Sequence, residues 1–459
     1  MVDVVHGWIT AIDGWLWGPP LLILLIGTHI FLTIRTGVVQ RYLWTALKLS
    51  VTKEKGATGD VSPFAALTTA LAATIGTGNI VGVATAVGLG GPGAVLWMWI
   101  TGVFGTATKY SEALLAVRYR VRTADGTMLG GPMYALERGL GMRWLGVLFA
   151  LFTVIASFGI GNMVQANSIS TMASSTIGLD PRITGAIMAA VTAAVVLGGL
   201  QSIARVCEIL VPFMAAWYVI GCLVILGAGA DLLWPAIKLI VTSAFTPTAA
   251  GGGFVGASIT MAARYGVARG LFSNESGLGS APIVAAAAQS RNPVRQALVS
   301  ATATFWDTVV ICALTGLVLV TSIMRAPAEL GPLRGSDLTS AAFHLVMPEF
   351  GPLVLTIGLL TFVFSTILGW SYYGERAAEY LWGKRTIVPY RIVWVAAVYA
   401  GSVFSLNFVW DFSDVANALM ALPNIVSLLM LSGVVAADTK RFLHGNRLDE
   451  AFDPSSDAN

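Results

Sequence analysis

Long apolar runs separated by short polar gaps dominate the pattern of this chain. A transmembrane helix needs roughly 20 predominantly apolar residues, and eleven runs meet or approach that length. The pattern therefore predicts an all-α polytopic membrane protein with about eleven transmembrane helices. In chain order, the predicted spans are 19–35, 62–89, 92–117, 143–177, 182–199, 203–229, 254–288, 295–323, 352–382, 388–408 and 411–436.

Two of these spans are interrupted by glycines and polar residues. Span 62–89 contains Gly76-Thr77-Gly78-Asn79, and span 254–288 is interrupted between Tyr265 and Gly279. Each glycine in a helix interior costs roughly 1 kcal/mol relative to alanine. At membrane depth, the freed backbone groups must be buried in protein or line a polar cavity. Ion-coupled transporters hold a solute and its cation at such breaks, so we interpret the chain as a transporter centred on the first break.

The two interrupted spans also divide the chain into two units. If span 19–35 is an extra helix, each interrupted span opens a unit of five helices, and an odd number gives the units opposite orientations. This pattern is typical of an inverted repeat with a midplane site between its halves. The second break centres near Tyr265-Gly266 or near Asn274–Gly277, which the sequence does not decide. The predicted organisation is an extra N-terminal helix and cytoplasmic interfacial segment at 1–61, a first five-helix repeat at 62–229, an extracellular connection at 230–251, a second five-helix repeat at 252–437 and a cytoplasmic tail at 438–459.

Three segments outside the spans have their own signals. Residues 40–52 mix basic and aromatic side chains, which favours an interfacial helix. Residues 232–240 favour another such helix on the opposite side. The tail after Leu443 is polar, with Asp453 and Asp457 near its end, and we expect it to be disordered.

Lysine and arginine favour cytoplasmic loops, and their placement predicts the orientation. The gaps on one side, together with the tail, hold 20 of these residues, whereas the opposite gaps hold only four: Arg182, Lys238, Arg325 and Arg334. The C-terminus is therefore predicted to lie in the cytoplasm and the N-terminus outside. We expect a multi-pass protein of the inner (cytoplasmic) cell membrane.

Composition supports the membrane assignment and excludes other classes. With 56% apolar residues, 11% charged residues and a mean hydropathy of +0.76, the chain has too little polar surface for a soluble protein of 459 residues. The net charge of +3 is small and follows the topology, so no nucleic-acid partner is implied. Cys207, Cys222 and Cys312 are dispersed in apolar runs, which gives neither a disulfide framework nor metal-ligand spacing.

Two other functional classes compete with a transporter. A channel would conduct through rings of carbonyls or charges, usually from repeated subunits, whereas the polar groups here cluster at two breaks within one chain. An enzyme is not predicted, because the four histidines lie apart from one another and from any HExxH, CxxC or GxSxG arrangement.

Four motifs resemble the alanine/glycine:cation symporter family, and the similarity extends from about Gly14 to Arg441. The motifs are Ala72-Ala73-Thr74-Ile75-Gly76-Thr77-Gly78-Asn79-Ile80-Val81-Gly82-Val83-Ala84, the stretch from Gly266 to Pro282, Gly159-Ile160-Gly161-Asn162-Met163-Val164-Gln165-Ala166-Asn167, and Gly369-Trp370-Ser371-Tyr372-Tyr373-Gly374-Glu375. The resemblance implies a secondary active symporter that imports alanine, glycine or a similarly small neutral amino acid by alternating access. It also implies the five-plus-five inverted repeat of the sodium-coupled leucine transporter, preceded by one extra helix.

The implied partners are the amino acid, the lipid bilayer and a coupling ion. That ion is sodium, or less often a proton, and no other cofactor is expected. An amino-acid-permeable channel and a proton-coupled permease stay open as alternatives. The oligomeric state is also open, with a monomer as one option.

The resemblance gives the first break a chemical role. An amino-acid carboxylate is well met by free N–H groups at a helix N-terminus, where the macrodipole is positive. Thr77, Gly78 and Asn79 would supply these groups. The alternative is that Gly76 and Gly78 only allow two helices to pack closely.

Sodium needs oxygen ligands, which unwound backbone can supply. In the leucine-transporter fold, a second cation site also pairs the first break with hydroxyls on the eighth core helix, here span 352–382. The expected sodium ligands are the carbonyls of Ala72, Thr74 and Ile75, the side chain of Asn79, and the hydroxyls of Ser365 and Thr366.

Further substrate contacts are expected from outside the first break. Gln165 is assigned to the substrate by the resemblance, and Asn274 is added from the second break, whereas the role of Asn167 is open. Trp370 lies mid-span and would limit substrate size by filling space. Thr366 and Trp370 are one helical turn apart, so one face would serve both the cation and the side chain.

Ionisable side chains inside spans are expensive and mark a pathway or a paired structural site. Lys109 and Glu112 are expected to form a local ion pair, because they are three residues apart. Glu275 lies in the second break, where we expect it to pair with Arg269 or to act as a cytoplasmic gate rather than to bind sodium directly. No specific role follows for the others, which are Glu208, Arg264, Asp307 and Glu375.

Overall fold

The computed structural model describes residues 7–8, 11–12, 14–54, 56–247, 254, 257–404 and 407–452, with the side chains of 175–177 and 407–411 excepted. The described chain is predominantly helical. Helices lie at Pro19–Arg35, Leu43–Ser50, Pro63–Thr74, Val83–Gly90, Gly93–Arg118, Pro132–Tyr134, Arg143–Phe158, Val164–Ile177, Pro181–Val196, Gly199–Ala228, Ala230–Ser243, Ile259–Asn274, Pro282–Ala285, Pro293–Thr304, Ala313–Arg325, Pro327–Leu330, Gly335–Val346, Gly351–Trp382, Ile387–Val403, Asn407–Met430 and Ser432–Asp438. Shorter turns join several of them: π-helical at Gly78–Gly82, Ala135–Gly139, Gly159–Met163, Phe305–Cys312 and Thr439–His444, and 3₁₀ at Val39–Tyr42 and Lys384–Thr386.

Six of the described helical segments are long and apolar enough to cross a membrane, or eight if each of two bent pairs is one span. The bent pairs are Pro19–Arg35 with Val39–Ser50 and Pro63–Thr74 with Gly78–Gly90. Helices also lie in the remaining predicted ranges, among them the shorter apolar helix Pro181–Val196. The all-α membrane class is therefore confirmed, whereas the number of eleven crossings stays a prediction.

The first predicted break is present. Ser62 caps the helix Pro63–Thr74 by accepting a hydrogen bond from the Ala65 N–H at 3.0 Å, and proline at the first helical position suits a helix start. The helix ends because Ile75 adopts an extended conformation, with φ −79° and ψ 95°. The chain resumes as the helical segment Gly78–Gly90, bent by 54° from the first half. We call residues 63–90 the first discontinuous helix.

The second discontinuous helix, residues 259–285, has its break at the later of the two positions that the sequence leaves open. Its first half, Ile259–Asn274, ends where Glu275 enters the left-handed region with φ 56°. Gly277 and Gly279 follow with φ of 92° and 83°, values that suit glycine because it lacks a Cβ atom.

Helix 93–118 supports both the N-terminal helix Pro19–Arg35 and the second discontinuous helix. Small residues allow the close approach: a methyl group at Gly266 would lie 2.3 Å from the Ala94 carbonyl oxygen. Helix 93–118 is thereby placed to reach the second break with its own polar side chains.

The two discontinuous helices also meet at the predicted cytoplasmic side. Val61 and Ala288 form a parallel bridge, and the Asp60 N–H donates to the Ala287 carbonyl at 2.7 Å. Arg120 donates to the Ala288 carbonyl at 2.8 Å. We call these contacts the cytoplasmic clasp, which ties the chain entering the first discontinuous helix to the chain leaving the second.

The segments outside the spans agree with the sequence in part. Helices Leu43–Ser50 and Ala230–Ser243 lie at the two predicted interfacial segments. Helix Gly335–Val346 was not predicted, and neither was the short antiparallel pairing of Val121–Arg122 with Met128–Leu129.

The predicted disorder of the tail is wrong as far as Phe452. Arg295 Nη1 lies 2.6 Å from Asp449 Oδ1, and the Phe452 N–H donates to the Arg291 carbonyl at 2.8 Å. The Asn292 amide also donates to the backbone of the tail. These contacts give the tail fixed partners. Residues 453–459, which include Asp453 and Asp457, lie outside the described residues.

Candidate substrate and cation site

Helix 351–382 places two hydroxyls against the first break. Ser365 Oγ lies 3.2 Å from the Ala72 carbonyl oxygen, and Thr366 Oγ1 lies 3.3 Å from the Ile75 carbonyl oxygen. A methyl group at Gly76 would lie only 2.6 Å from Thr366 Oγ1, so the missing side chain is what permits the approach. Four of the predicted sodium ligands are therefore brought together. Thr74, a fifth, is buried there with its hydroxyl bonded to its own helix.

Gln165 reaches the same break from the helix that follows the π-helical turn Gly159–Met163. Its Nε2 donates to the Ile160 carbonyl at 2.9 Å and lies 3.4 Å from Thr77 Oγ1. Its Oε1 is buried and has no hydrogen-bond partner among the described residues. Because a buried acceptor without a partner is costly, this oxygen is available to a donor from a bound solute.

Asn79 joins the first break to a buried carboxylate. Its Oδ1 accepts a hydrogen bond from the Gly76 N–H at 2.8 Å, and its Nδ2 donates to Asp307 Oδ1 at 2.7 Å. The Asn79 N–H bonds to the Gly76 carbonyl at 3.3 Å, so this amide is part of a turn. Of the three amides predicted for the substrate, those of Thr77 and Gly78 are left.

Asp307 is a member of the site to which the sequence analysis gave no role. It is fully buried in the π-helical segment Phe305–Cys312, and it also accepts hydrogen bonds from Ser273 Oγ at 2.9 Å and Thr308 Oγ1 at 2.7 Å. It forms no ion pair with any lysine or arginine that the structure describes. Buried charges are normally paired or bind metals, so this carboxylate adds negative charge beside the first break.

Lys109 and Glu112 do not form the predicted ion pair with each other. Lys109 Nζ donates to the Asn274 carbonyl at 2.7 Å, whereas Glu112 Oε1 accepts the N–H groups of Gly277 and Gly279 at 3.0 Å each. Each side chain satisfies backbone that the second break frees, which a local pair could not do. Helix 93–118 thus holds the second break from both ends.

Glu275 and Arg269 are not partners in this structure. Glu275 accepts hydrogen bonds from Trp370 Nε1 at 2.9 Å and from a neighbouring serine, while Arg269 lies 3.9 Å from Asp414. The separation arises because the helix ends between them, which turns Glu275 toward helix 351–382. The predicted pair is therefore wrong, and Glu275 instead fixes the Trp370 indole.

Of the other predicted polar residues, Asn274 lies at the site, whereas Asn167 and Glu375 make structural contacts elsewhere. Asn274 Nδ2 donates to Thr308 Oγ1 at 3.1 Å, next to the Asp307 carboxylate. Asn167 donates to the carbonyls of Gly401 and Phe404 at 3.3 and 3.1 Å, which is a structural contact between helices. Glu375 pairs with Arg376 and Arg391, away from the first break.

An outer cleft lies beyond the site at the predicted extracellular side. It has about 460 Å³ of empty space and is lined by residues that include Trp17, Arg269, Phe272 and Asp414. A methyl group at Gly78 would lie 3.1 Å from the Phe272 ring, so this ring separates the cleft from the first break. The sequence assigns no role to Phe272 or Asp414, because their role depends on which helices meet.

Charge at the cytoplasmic clasp is shaped by burial. Burial raises the pKa of the Asp60 carboxyl above its ordinary value, and a hydrogen bond from the Met128 N–H acts in the opposite direction. Burial also lowers the pKa of the Arg120 guanidinium, opposed by the nearby Asp60 charge. The Arg120 charge therefore favours the ionised form of Asp60, and the Asp60 charge favours the protonated form of Arg120, at the cytoplasmic clasp.

The sequence matches the model of the sodium:alanine symporter family from residue 2 to residue 455. The chain belongs to the sodium:alanine symporter family. It is 52% identical, over 95% of its length and 96% of the relative's, to the sodium/alanine symporter AgcS of Methanococcus maripaludis. It is 36% identical, over 93% of its length and 88% of the relative's, to the probable sodium/glutamine symporter GlnT of Bacillus subtilis.

Membership of a symporter family agrees with the fold. The structure resembles that of MhsT in complex with L-phenylalanine, with a TM-score of 0.56 and 14% identity over 86% of this chain and 96% of that one. At this identity, the likeness concerns the fold alone, and it supports a transporter fold of the leucine-transporter type. The resemblance of the four motifs is confirmed, and the family is one of multi-pass membrane transporters rather than enzymes.

Proposed function

We propose that this family member is a secondary active symporter that imports alanine or glycine together with sodium by alternating access. The observation that carries the proposal is the convergence of hydroxyls and backbone carbonyls at the first break. The Ser365 hydroxyl donates to the Ala72 carbonyl at 3.2 Å, and the Thr366 hydroxyl donates to the Ile75 carbonyl at 3.3 Å. Sodium prefers such oxygen ligands, as hard cations do.

The proposed cation ligands are those expected from the sequence, with one addition. The carbonyls of Ala72, Thr74 and Ile75 and the hydroxyls of Ser365 and Thr366 surround the break. Asp307 and Asn79 supply further oxygens on its other side, where Asn79 Nδ2 donates a hydrogen bond to Asp307 Oδ1 at 2.7 Å. The Asp307 charge favours a cation there because no described basic side chain forms an ion pair with it.

The proposed substrate site uses both ends of the zwitterion. The carboxylate meets the N–H groups of Thr77 and Gly78, since the first N–H groups of a helix have no acceptor in the helix itself. The ammonium group donates to Gln165 Oε1. Trp370, whose indole donates to Glu275, fills the space beside the substrate side chain and so limits the size of the substrate. Asn274 fixes the opposite side of the site through its hydrogen bond to Thr308.

Binding of sodium and binding of the amino acid are coupled because both ligands use the first break. A cation that orders the carbonyls of Ala72 and Ile75 also orders the adjacent amides that meet the carboxylate. Each ligand then strengthens binding of the other by the same free energy. The clasped cytoplasmic side and the outer cleft would open in turn, as the two five-helix units 62–229 and 252–437 move around the site.

The proposal also covers the location, orientation, oligomeric state and substrate preference of the protein. We place the protein in the inner cell membrane with its N-terminus outside and its C-terminus in the cytoplasm, as a monomer. Alanine is favoured over larger substrates because the relative from Methanococcus maripaludis is named a sodium/alanine symporter and because Trp370 is buried against the site.

Uptake into proteoliposomes tests the proposal. Radiolabelled alanine should accumulate above equilibrium when an inward sodium gradient is imposed, and unlabelled glycine should compete better than glutamine. A proton gradient without sodium should not drive accumulation. Equilibration without accumulation would identify a channel, whereas accumulation driven by protons alone would identify a proton-coupled permease, and either result would overturn the proposal.

A further inference from the structure

An apolar groove with about 970 Å³ of empty space separates the N-terminal helix from the second discontinuous helix. One wall is a single face of the N-terminal helix between Pro19 and Ile30, with contributing positions three or four residues apart. The other wall is a face of the second discontinuous helix between Thr260 and Val267. Its lining is almost wholly hydrocarbon, and exposed Ile23 and Ile30 continue it onto the outer surface of the protein.

The groove has the length of one membrane leaflet. At a rise of about 1.5 Å per residue, the stretch from Pro19 to Ile30 extends about 16 Å along the helix axis. Half of a hydrocarbon core about 30 Å thick is about 15 Å. Both walls begin at the predicted extracellular side, so the groove extends from that surface to about the middle of the bilayer.

Arg264 lies where the groove meets the outer cleft. It lines both the apolar groove and the outer cleft, which contains polar and charged side chains. Its guanidinium lies over the Tyr265 ring at 5.7 Å and forms no ion pair with any described carboxylate. Arg264 therefore places an exposed positive charge at the boundary between the outer cleft and the apolar groove. This charge is complementary to the phosphate group of a phospholipid, and the groove is complementary to its acyl chain.

We propose that this groove is a binding site for one phospholipid of the outer leaflet, with its phosphate at Arg264 and an acyl chain lying along the N-terminal helix. The lipid fills the space between the two helices that form the walls of the groove. It therefore joins the N-terminal helix to the first half of the second discontinuous helix. This inference rests on the membrane location of the protein and not on sodium or alanine as ligands.

Filling the groove is the first test, and Gly27 offers the position. A Cβ atom at Gly27 would meet no atom within 4 Å, and the same holds for Gly227 on helix 199–228. Gly27→Phe therefore occupies the groove without a backbone clash, with Gly27→Leu as a milder variant and Gly227→Phe as the matched control. Mass spectrometry of the detergent-purified proteins would measure the phospholipid retained per chain.

We expect the wild type and Gly227→Phe to retain about one phospholipid per chain after extensive detergent exchange, and both Gly27 variants to retain at least tenfold less. Equal retention in all four proteins would overturn the proposal, and so would a wild type that holds only detergent. Loss of a dimer in the Gly27 variants, without loss of lipid, would identify a second copy of the chain as the occupant and would also overturn it.

Charge is the second test. Added phosphatidylglycerol should raise the midpoint of thermal unfolding of the purified wild type by mass action. The shift should be lost in Arg264→Gln and kept in Arg182→Gln, which removes an exposed arginine on the same predicted side. A shift of equal size in both variants would contradict the proposed phosphate contact. Neither readout requires alanine uptake, so a failure here is distinct from a failure of the proposed function.

Discussion

Asp307 is a buried charge of the site that lies outside all four sequence motifs. Its three hydrogen-bond donors, Asn79, Ser273 and Thr308, come from three different segments. The carboxylate therefore links both discontinuous helices. Burying it without a counter-charge is costly, and a bound cation would offset that cost. The residue is in this way expected to contribute to cation affinity more than to folding.

Replacing Asp307 by Asn is expected to weaken sodium binding while leaving the protein folded. The amide keeps the size of the side chain but removes its charge, so the sodium concentration that half-saturates alanine binding should rise at least tenfold, or about 1.4 kcal/mol. The measurement is alanine binding to purified protein across a sodium titration. Asp438→Asn is the matched control, because Asp438 pairs with Arg118 at the predicted cytoplasmic end. An unchanged sodium dependence in Asp307→Asn would show that this carboxylate is not part of the cation site.

Most of the first-break residues could be predicted, and most second-break contacts could not. Gly76 and Thr77 stand out locally because glycine and polar residues interrupt an apolar run. Glu112 does not stand out in this way, since its role depends on the second break passing beside helix 93–118. Local spacing favoured a pair with Lys109, but the free N–H groups of the break are stronger competitors for a buried carboxylate.

The N-terminal helix is an element whose function the repeat pattern leaves open. It lies outside both predicted five-helix units, yet it contacts the second break through buried His29. Its Nδ1 lies 2.7 Å from Thr108 Oγ1, while a methyl group at Gly277 would lie 3.7 Å from the imidazole ring. At its outer end, Trp17 Nε1 donates to the Asp414 carbonyl at 2.9 Å. The N-terminal helix and the residues just before it therefore contact both the second break and the outer cleft.

Replacing His29 by Leu should impair alanine binding even though His29 is not in the proposed binding site. The change leaves the Thr108 hydroxyl without a partner, a cost of about 1–3 kcal/mol, and releases the chain beside Gly277. We expect about a tenfold rise in the alanine KM, with a smaller effect on maximal rate.

The control for this prediction is Thr28→Val on the same helix. Thr28 is equally buried but bonds only to the Leu24 carbonyl of its own helix. Uptake kinetics should be normalised to folded protein. If both variants lower the amount of folded protein and neither changes KM, the N-terminal helix has only a structural role.

Helix positions were easier to predict than helix continuity. Apolar runs of membrane length locate Gly351–Trp382 and Gly199–Ala228 closely, because the bilayer imposes one length on every crossing. The amphipathic helix Gly335–Val346 was missed, since it lies in a gap and is too short to register as a span. The ordered tail was missed as well, because its partners, such as Arg295, lie far away in sequence.

For the whole molecule, the contacts indicate a state that is closed toward the predicted cytoplasmic side. The clasp joins the two discontinuous helices through backbone hydrogen bonds, whereas the opposite side retains the outer cleft. The proposed alternating access requires that the clasp separate. Arg120 is well placed to control this step, since it donates to the carbonyls of Ala286, Ala288 and Thr58.

Replacing Arg120 by Ala is therefore expected to shift the population toward a cytoplasm-open state. Hydrogen bonds from a charged donor contribute about 1.5–3 kcal/mol, which corresponds to a rise of about tenfold or more in the open fraction. Ser290→Cys reports this fraction, because Ser290 lies next to the clasp and is only 5% exposed. The three native cysteines are all buried, so background labelling by a membrane-impermeant maleimide should be low.

In inside-out vesicles, Arg120→Ala should accelerate labelling of Ser290→Cys about tenfold, whereas Arg122→Ala, an exposed neighbour, should not. Sodium and alanine added together should slow labelling if the loaded protein closes. An equal rate in all three backgrounds would show that the clasp does not limit opening. In that case the barrier would lie in the second break itself, where Lys109 and Glu112 hold the backbone within the membrane.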